Sequence, residues 1–235
     1  MAHNTRLAII GAGIAGLCAA ITAQAELDDI WLFSKGPLGA CGSSFQNINK
    51  CWGLAYAADD RECSYLLDRI NLISRGTNDP DLSSFLVEES FRAFIRLKNW
   101  GIRFRTGEGG AVQRVVPCFC EGERLAAVVD DLPQFWRKMQ KIIDQDRVRI
   151  LSWAGVTELS RENDHWRLVV QNESERFDVL AQAVIVASGG DAACWEPNIV
   201  DSGLRGDGYR LLHALGASLV NMDYKQRIWD EVEWR

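Results

Sequence analysis

Short apolar runs alternate with longer, mixed stretches in the first part of the chain. Arg6 to Ile10 is apolar after its first residue and meets glycine at once, and Ile30 to Phe33 is a second short apolar run. Ile14 to Glu26, which lies between them, is rich in Ala, Leu and Ile, as helices are. The pattern therefore predicts a strand, a tight turn, a helix and a strand within about 30 residues, the size of one βαβ unit.

The next part of the chain changes from glycine-rich to helical. Ser34 to Ala58 contains several glycines and little periodicity, so we predict a long loop, and loops of that length in compact domains are usually functional. Arg61 to Ser74 then has apolar residues at helical spacing. A second helix is predicted from the Asp79-Pro80 cap to Trp100, ended by Gly101. These two helices are expected to form an amphipathic layer.

The second half of the chain predicts mainly strands. A helix is expected from Asp131 to Asp144, followed by a strand at Arg147 to Ser152 and by a β-meander of Val156 to Leu159, Trp166 to Gln171 and Arg176 to Leu180. Ala183 to Ala187 is wholly apolar, which is typical of a parallel strand buried on both faces. A last helix, Gly208 to Leu215, and a short strand, Ser218 to Asn221, complete the pattern. The predicted fold class is α/β, with a parallel central sheet, a β-meander and a helical layer.

A glycine motif joins the first strand to the first helix. Gly11-Ala12-Gly13-Ile14-Ala15-Gly16 satisfies G-x-G-x-x-G in the context that a dinucleotide site requires. The first glycine permits the tight turn, the second lets backbone amides approach a pyrophosphate, and the third lets helix and strand pack closely. The phosphates then lie at the positive end of the helix. The alternative is a glycine-rich turn that binds no ligand.

The end of the second strand bears on which dinucleotide is bound. An acidic residue about 20 positions after the motif normally binds the ribose of NAD. Ser34 occupies that place here, and Lys35 follows it. A serine can hydrogen-bond a ribose but lacks the charge, which disfavours an NAD-dependent dehydrogenase. Lys35 is either a solvated lysine or a contact to phosphate or ribose.

Composition and charge narrow the class of protein. The chain has 235 residues, of which 47% are hydrophobic and 25% charged, so it is expected to fold as one or two domains. The net charge is −6 and no long basic run occurs, which argues against a nucleic-acid partner. The apolar stretches are shorter than the roughly 20 residues of a membrane span, and no signal peptide is evident. We therefore expect no membrane span, a cytoplasmic location, reduced cysteines and no metal site.

Several further blocks occur in a fixed order along the chain. They are Leu32-Phe33-Ser34-Lys35-Gly36-Pro37-Leu38-Gly39, Gly42-Ser43-Ser44-Phe45, Gly53-Leu54-Ala55, Val184-Ile185-Val186-Ala187-Ser188-Gly189-Gly190, Gly206-Asp207-Gly208 and Gly216-Ala217 through Asp223. Together they resemble the FAD-binding region of the succinate dehydrogenase and fumarate reductase flavoprotein family, and its L-aspartate oxidase branch most closely. The resemblance implies a Rossmann-like FAD-binding domain over residues 1–226, followed by a divergent tail, 227–235.

The resemblance also implies individual cofactor contacts. Besides the glycine motif, Ser34 and Lys35, these are Ser43, Ser44 and Gly53 toward the flavin, Val156 at the adenine, Gly189 in the Gly-Gly turn, and Asp207 on the flavin side. Ser43 and Ser44 could instead cap turns, and Asp207 could be the N-cap of the last helix, a role compatible with cofactor contact. Some relatives bond the flavin to a histidine of this loop. No histidine lies between Asn4 and Asp164 here, so the resemblance implies non-covalent FAD.

The sequence differs from the family in two places, one near the flavin and one at the catalytic part. Lys50-Cys51-Trp52-Gly53 stands where relatives have Gln-Gly-Gly, so Trp52 either stacks near the flavin or fills a gap in the core. After Gln226 the sequence no longer follows the family, whose capping domain and catalytic Arg and His are expected to be absent from this chain. No catalytic residue is assigned.

The resemblance thus implies an oxidoreductase acting on a small dicarboxylate or amino acid if a second subunit supplies the capping domain. The alternatives are a non-catalytic dinucleotide-binding partner subunit and a truncated gene product.

Overall fold

The structure is a computed structural model that describes residues 2–47 and 50–223. Its strands are β1 (His3–Ile10), β2 (Ile30–Phe33), β3 (Trp52–Ala55), β4 (Arg114–Val115), β5 (Ala126–Val129), β6 (Val148–Leu151), β7 (Gly155–Glu162), β8 (His165–Gln171) and β9 (Arg176–Val186). Its helices are α1 (Ile14–Ala23), α2 (Asp60–Ser74), α3 (Pro80–Asn99), α4 (Leu132–Ile142) and α5 (Asp207–Ala214). The predicted tail and the last three residues of the predicted domain lie outside the described residues.

A six-stranded sheet forms the centre of the fold, in the order β6-β2-β1-β9-β8-β7. Strands β6, β2, β1 and β9 are parallel, whereas β8 and β7 continue the sheet as an antiparallel meander. The predicted α/β class with a parallel sheet and a β-meander is therefore confirmed. This arrangement brings the carboxyl ends of β1, β2 and β9 to one edge, where ligands bind in such sheets.

Both faces of β1 are covered, because alternate residues of a strand point to opposite sides. Leu7 and Ile9 belong to a core cluster with residues of α1, α3 and α4. Ala8 and Ile10 belong to a second cluster with residues of the meander and Leu211 of α5. Core residues therefore pack against both faces of β1, the first strand of the predicted βαβ unit.

Three helices, α2, α3 and α4, begin where the sequence places polar caps. The carboxylates of Asp59, Asp79 and Asp131 each accept a backbone N–H from the first turn of α2, α3 and α4. Gly101, with φ of +77°, follows the end of α3, as predicted. The observed bounds of these helices lie within about two residues of the predicted ones, which is the usual uncertainty of helix ends.

The prediction of one long loop from Ser34 to Ala58 is wrong in part. Strand β3 lies within that stretch and pairs antiparallel with β5, which also pairs with β4, in a separate three-stranded sheet. The partner strand lies far along the chain, and a short stretch with an exposed glycine, Gly53, gives no local pattern of its own.

The end of the meander also differs from the prediction. Its third strand and the apolar Ala183 to Ala187 run form a single strand, β9, which pairs with β8 on one side and β1 on the other. Ala183 and Ile185 are exposed, so the prediction that this part is buried on both faces is wrong. An apolar run alone does not indicate which elements cover each face of a strand.

The short strand predicted at Ser218 to Asn221 does not form. Val220 is 77% exposed, and no strand pairs with this segment among the described residues. The Asn221 side-chain amide instead donates to the carbonyl of Thr77 at 3.0 Å.

The described residues contain no helix long and apolar enough to cross a membrane. All seven cysteines lie within the described ranges, and none of them is in a disulfide. No cluster of described side chains could hold a metal ion. The cytoplasmic location stays a prediction.

Candidate functional site

A cavity of about 740 Å³ opens at the carboxyl ends of β1, β2 and β9. Its walls are the glycine motif, the turn after β2, the segment before and into β7, the end of β9 and the start of α5. The predicted site residues that line it are Gly11, Ala12, Gly13, Ile14, Ala15, Ser34, Lys35, Ser43, Ser44, Val156, Gly189 and Asp207. The fold thus brings together residues from most of the length of the chain.

The glycines of the motif are required by close backbone approaches. Gly11 has φ of +109°, and a Cβ there would lie 2.3 Å from the carbonyl oxygen of Ala187. A Cβ on Gly16 would lie 1.8 Å from the carbonyl oxygen of Gly11. The turn and the packing of α1 against β1 therefore leave no room for side chains at these two positions.

The start of α1 faces the cavity with backbone donors. Gly13 is the N-cap and offers no side chain, and the first turn contains no acidic residue. The backbone N–H of Ile14 donates to the hydroxyl oxygen of Ser44 at 2.9 Å. Because no carboxylate in its first turn neutralises this helix end, it suits an anionic group such as a pyrophosphate.

Ser34 is buried and is used by the turn that follows β2. It is 2% exposed, and its hydroxyl donates to the carbonyl of Gly36 at 3.0 Å. Its backbone N–H donates to Leu151, and its carbonyl accepts from Ala154, both at 2.8 Å. The residue therefore fixes the turn in place beside the cavity.

Lys35 and Asp207 meet across the cavity wall, although Lys35 follows the expected ribose position and the resemblance places Asp207 on the flavin side. The Lys35 ammonium lies 2.7 Å from the Asp207 carboxylate and 3.3 Å from the carbonyl of Gly203. Asp207 lies in the first turn of α5, but the N-cap is Gly206, with φ of +71°. The N-cap alternative for Asp207 is therefore wrong by one position, because the left-handed cap conformation favours glycine.

Some predicted residues lie away from the cavity. Gly16 is packed behind it, between α1 and β1, and Gly53 lies exposed in β3, so neither lines it. The Trp52 ring packs edge-on against Phe135 with 5.3 Å between centroids, as the gap-filling alternative predicts. All three histidines, His3, His165 and His213, are described and lie outside the cavity lining.

Many other lining residues were not predicted from the sequence, among them Trp153, Tyr209 and Gly208. Trp153 and Tyr209 line the cavity, and Gly208 allows α5 to approach the end of β9 closely. A Cβ on Gly208 would lie 2.3 Å from the Ser188 hydroxyl oxygen and 3.0 Å from Cγ1 of Val186. The Gly-Asp-Gly block could have indicated Gly208, but no sequence pattern marks the two aromatic residues.

The residues fit a dinucleotide cofactor. The cavity combines close backbone approach at Gly11 and Gly13, an uncompensated helix start and hydroxyl groups at Ser43 and Ser44. These are the groups that bind the pyrophosphate and the polyol part of such a cofactor.

Comparisons with known proteins agree with this site. A family model described as FAD binding domain matches residues 6–227. L-aspartate oxidase of Agrobacterium fabrum is 26% identical over 93% of this chain, and the chain spans 42% of that relative's length.

Solved structures support the fold. A quinol fumarate reductase chain of E. coli has a TM-score of 0.73 at 22% identity, over 91% of this chain and 37% of that one. A flavocytochrome c3 fumarate reductase in its open conformation has a TM-score of 0.74 at 19% identity, over 95% of this chain and 42% of that one. The chain therefore belongs to the FAD binding domain family, and its cofactor is FAD.

Proposed function

We propose that this chain is the FAD-binding part of an oxidoreductase of the L-aspartate oxidase and fumarate reductase type. The observation that carries the proposal is the cavity at the strand ends, where the start of α1 and the glycine motif face the same space. Bound FAD supplies the two-electron chemistry of such enzymes. The substrate class that fits is a small dicarboxylate or amino acid, in line with the aspartate for which the L-aspartate oxidase relative is named.

The chain's own residues divide the work of binding. The backbone at Gly11 and Gly13 and the start of α1 bind the pyrophosphate, and Gly16 keeps α1 close to β1. Ser43 and Ser44 contact the polyol chain, whereas Val156 contacts the adenine and Gly189 and Asp207 lie on the flavin side. Gly53 lies outside the cavity lining, and its flavin contact stays a prediction.

FAD is held without a covalent link in this proposal. None of the three histidines lines the cavity. His3 instead packs against the rings of Trp31 and Phe177, with centroids 5.3 and 5.6 Å away. His3 also begins β1, at the opposite end of the strand from the cavity.

The described lining of the cavity does not supply the groups that act on the substrate. Oxidation or reduction next to a carboxylate requires cations that hold the carboxylate and a group that carries a proton. Within the described lining the one Lys or Arg is Lys35, and its ammonium is already paired with Asp207. We therefore propose that a second subunit or a further segment supplies the cations and the proton carrier.

A second candidate is a non-catalytic FAD-binding module. The same paired lysine favours it. Both candidates require FAD binding but differ in whether turnover can be restored.

Turnover assays separate the two candidates. The FAD-loaded chain is assayed alone for aspartate oxidation and fumarate reduction, and then after co-expression with the reading frame that follows its gene. The oxidoreductase proposal expects no turnover alone and turnover in the combination. Bound FAD without turnover in the combination favours the module, and turnover by the chain alone overturns the proposal that outside groups are needed.

A further inference from the structure

We propose that Trp153 is the surface on which the adenine ring of FAD stacks. This inference deepens the FAD site and rests on it. Trp153 follows β6 and lines the cavity, yet the residue is 52% exposed. Within the described residues no aromatic ring or cation packs against its indole. A large apolar ring that faces a binding cavity and has no partner of its own is suited to a planar ligand.

The backbone at Trp153 is held in an unusual conformation. Its φ of +56° is in the left-handed region, which bulky residues rarely adopt. Hydrogen bonds fix it on both sides, since the Trp153 N–H donates to Gly36 at 3.4 Å and the Ala154 N–H donates to Ser34 at 2.8 Å. Strained residues of this kind persist where the surrounding structure over-determines them, and they cluster at ligand sites.

The segment that carries Trp153 continues with small residues along the cavity. Ala154 and Gly155 are small, and a Cβ on Gly155 would lie 3.8 Å from Cγ of Lys35. Val156, the residue assigned to the adenine, comes next in the chain and lines the same cavity. The segment of Trp153 is thus hydrogen-bonded to Ser34 and Gly36 just after β2, next to the position where the ribose of a bound adenosine is expected.

Trp195 offers a matched control. It is 53% exposed, much like Trp153, but it does not line the cavity. A change there alters the tryptophan count and the exposed apolar area in the same way. It leaves the proposed adenine contact in place.

The test measures binding of ADP and FAD to four proteins: wild type, Trp153→Ala, Trp153→Phe and Trp195→Phe. Stacking of a base on an aromatic ring is usually strong enough that its loss weakens binding about tenfold. We therefore expect Trp153→Ala to raise the Kd of both ligands by about tenfold, Trp153→Phe to raise it less, and Trp195→Phe to leave it unchanged.

Tryptophan emission gives a second readout that does not depend on the alanine variant folding. ADP is expected to quench emission in wild type and in Trp195→Phe, but not in Trp153→Phe. Equal Kd values for wild type and a folded Trp153→Ala, or quenching that persists in Trp153→Phe, would overturn the inference. A folded wild type that binds no FAD would instead overturn the FAD site itself, so the two failures are distinguishable.

Discussion

Gly13 and Gly16 belong to one motif but meet different neighbours. A Cβ on Gly16 would collide with backbone, 1.8 Å from the Gly11 carbonyl oxygen, whereas a Cβ on Gly13 would meet the Ser44 hydroxyl at 3.3 Å. Gly16→Ala is therefore expected to destabilise the fold by about 3 kcal/mol. Gly13→Ala is expected to change the free energy of unfolding by less than about 1 kcal/mol but to weaken FAD binding at least tenfold, since the methyl group faces the cofactor.

Urea denaturation and FAD titration measure the two effects separately. Gly107→Ala is the control, because the nearest atom to its Cβ would be Cβ of Gln113 at 3.9 Å, far from the cavity. Unchanged FAD affinity in Gly13→Ala would contradict the role given to the start of α1.

Glu62 and Arg114 form an ion pair away from the cavity that contributes to stability. Both Arg114 end nitrogens lie 2.9 Å from the Glu62 carboxylate oxygens, and the guanidinium carbon lies 4.5 Å from the ring centre of Tyr56. Hydrogen bonds from Arg114 hold the pKa of Glu62 below its usual range, more than offsetting the effect of burial. A carboxylate with a lowered pKa stabilises the fold above the unfolded-state pKa and loses that effect as the pH falls through the folded one.

Glu62→Gln is therefore expected to lower the free energy of unfolding by about 3 kcal/mol at neutral pH. The reason is that it leaves the largely buried guanidinium of Arg114 without its charged partner. The difference from wild type should shrink as the pH falls below about 4.3, the usual Glu pKa. Urea denaturation across pH measures this, with Glu123→Gln as the control, since its pair with Arg61 is exposed and should matter little. A difference that does not depend on pH would contradict the stabilising role of the Glu62 carboxylate.

At the scale of elements, the Asp79 cap fixes where α3 begins. The Asp79 carboxylate accepts the backbone N–H of Leu82 at 2.9 Å, and Pro80 follows it at the first helical position. Asp79→Ala should lower the free energy of unfolding by about 1 kcal/mol. Asp81→Ala, two positions later, should lower the free energy of unfolding by only a few tenths of a kcal/mol, because it removes an interaction with the helix dipole but no cap. Equal losses in thermal or urea denaturation would contradict the capping role.

Elements with local signals were predictable from the sequence. A few neighbouring residues are enough to predict such an element. This holds for the helix caps at Asp79 and Asp131, the glycine turn and the polar turns of the meander. Strand β3 was not predictable, because its partner β5 lies far along the chain and its own residues show no alternation. The two predicted strands form one strand, β9, because β9 pairs with β8 on one side and with β1 on the other. Neither pairing is visible in the local sequence.

The same distinction applies to the site. The glycine motif predicted the cavity and the start of α1, because its context of strand and helix is local. Trp153 carries no local signal, since its exposure and its φ of +56° depend on the bonds that Gly36 and Ser34 make to its segment. Contact between Lys35 and Asp207 likewise depends on how α5 returns to the sheet.

For the whole molecule, the cavity depends on the fold as a unit. Its walls come from the first strand, the turn after β2, the meander and α5, so separate pieces would not form it. A ligand that binds only the folded state stabilises it by mass action, and about 100 Kd of free ligand adds about 2.7 kcal/mol. FAD should therefore raise the Tm of the chain by roughly 5–10 °C at that concentration.

The central claim is that the chain binds FAD in this cavity without a covalent link. The most direct measurement is the absorbance spectrum of the folded chain after incubation with FAD and removal of the excess, taken before and after denaturation and precipitation. We expect flavin bands with about one FAD per chain, and all of the flavin in the supernatant after precipitation. A folded chain without flavin bands would contradict FAD binding, and flavin that remains with the precipitate would contradict the non-covalent link.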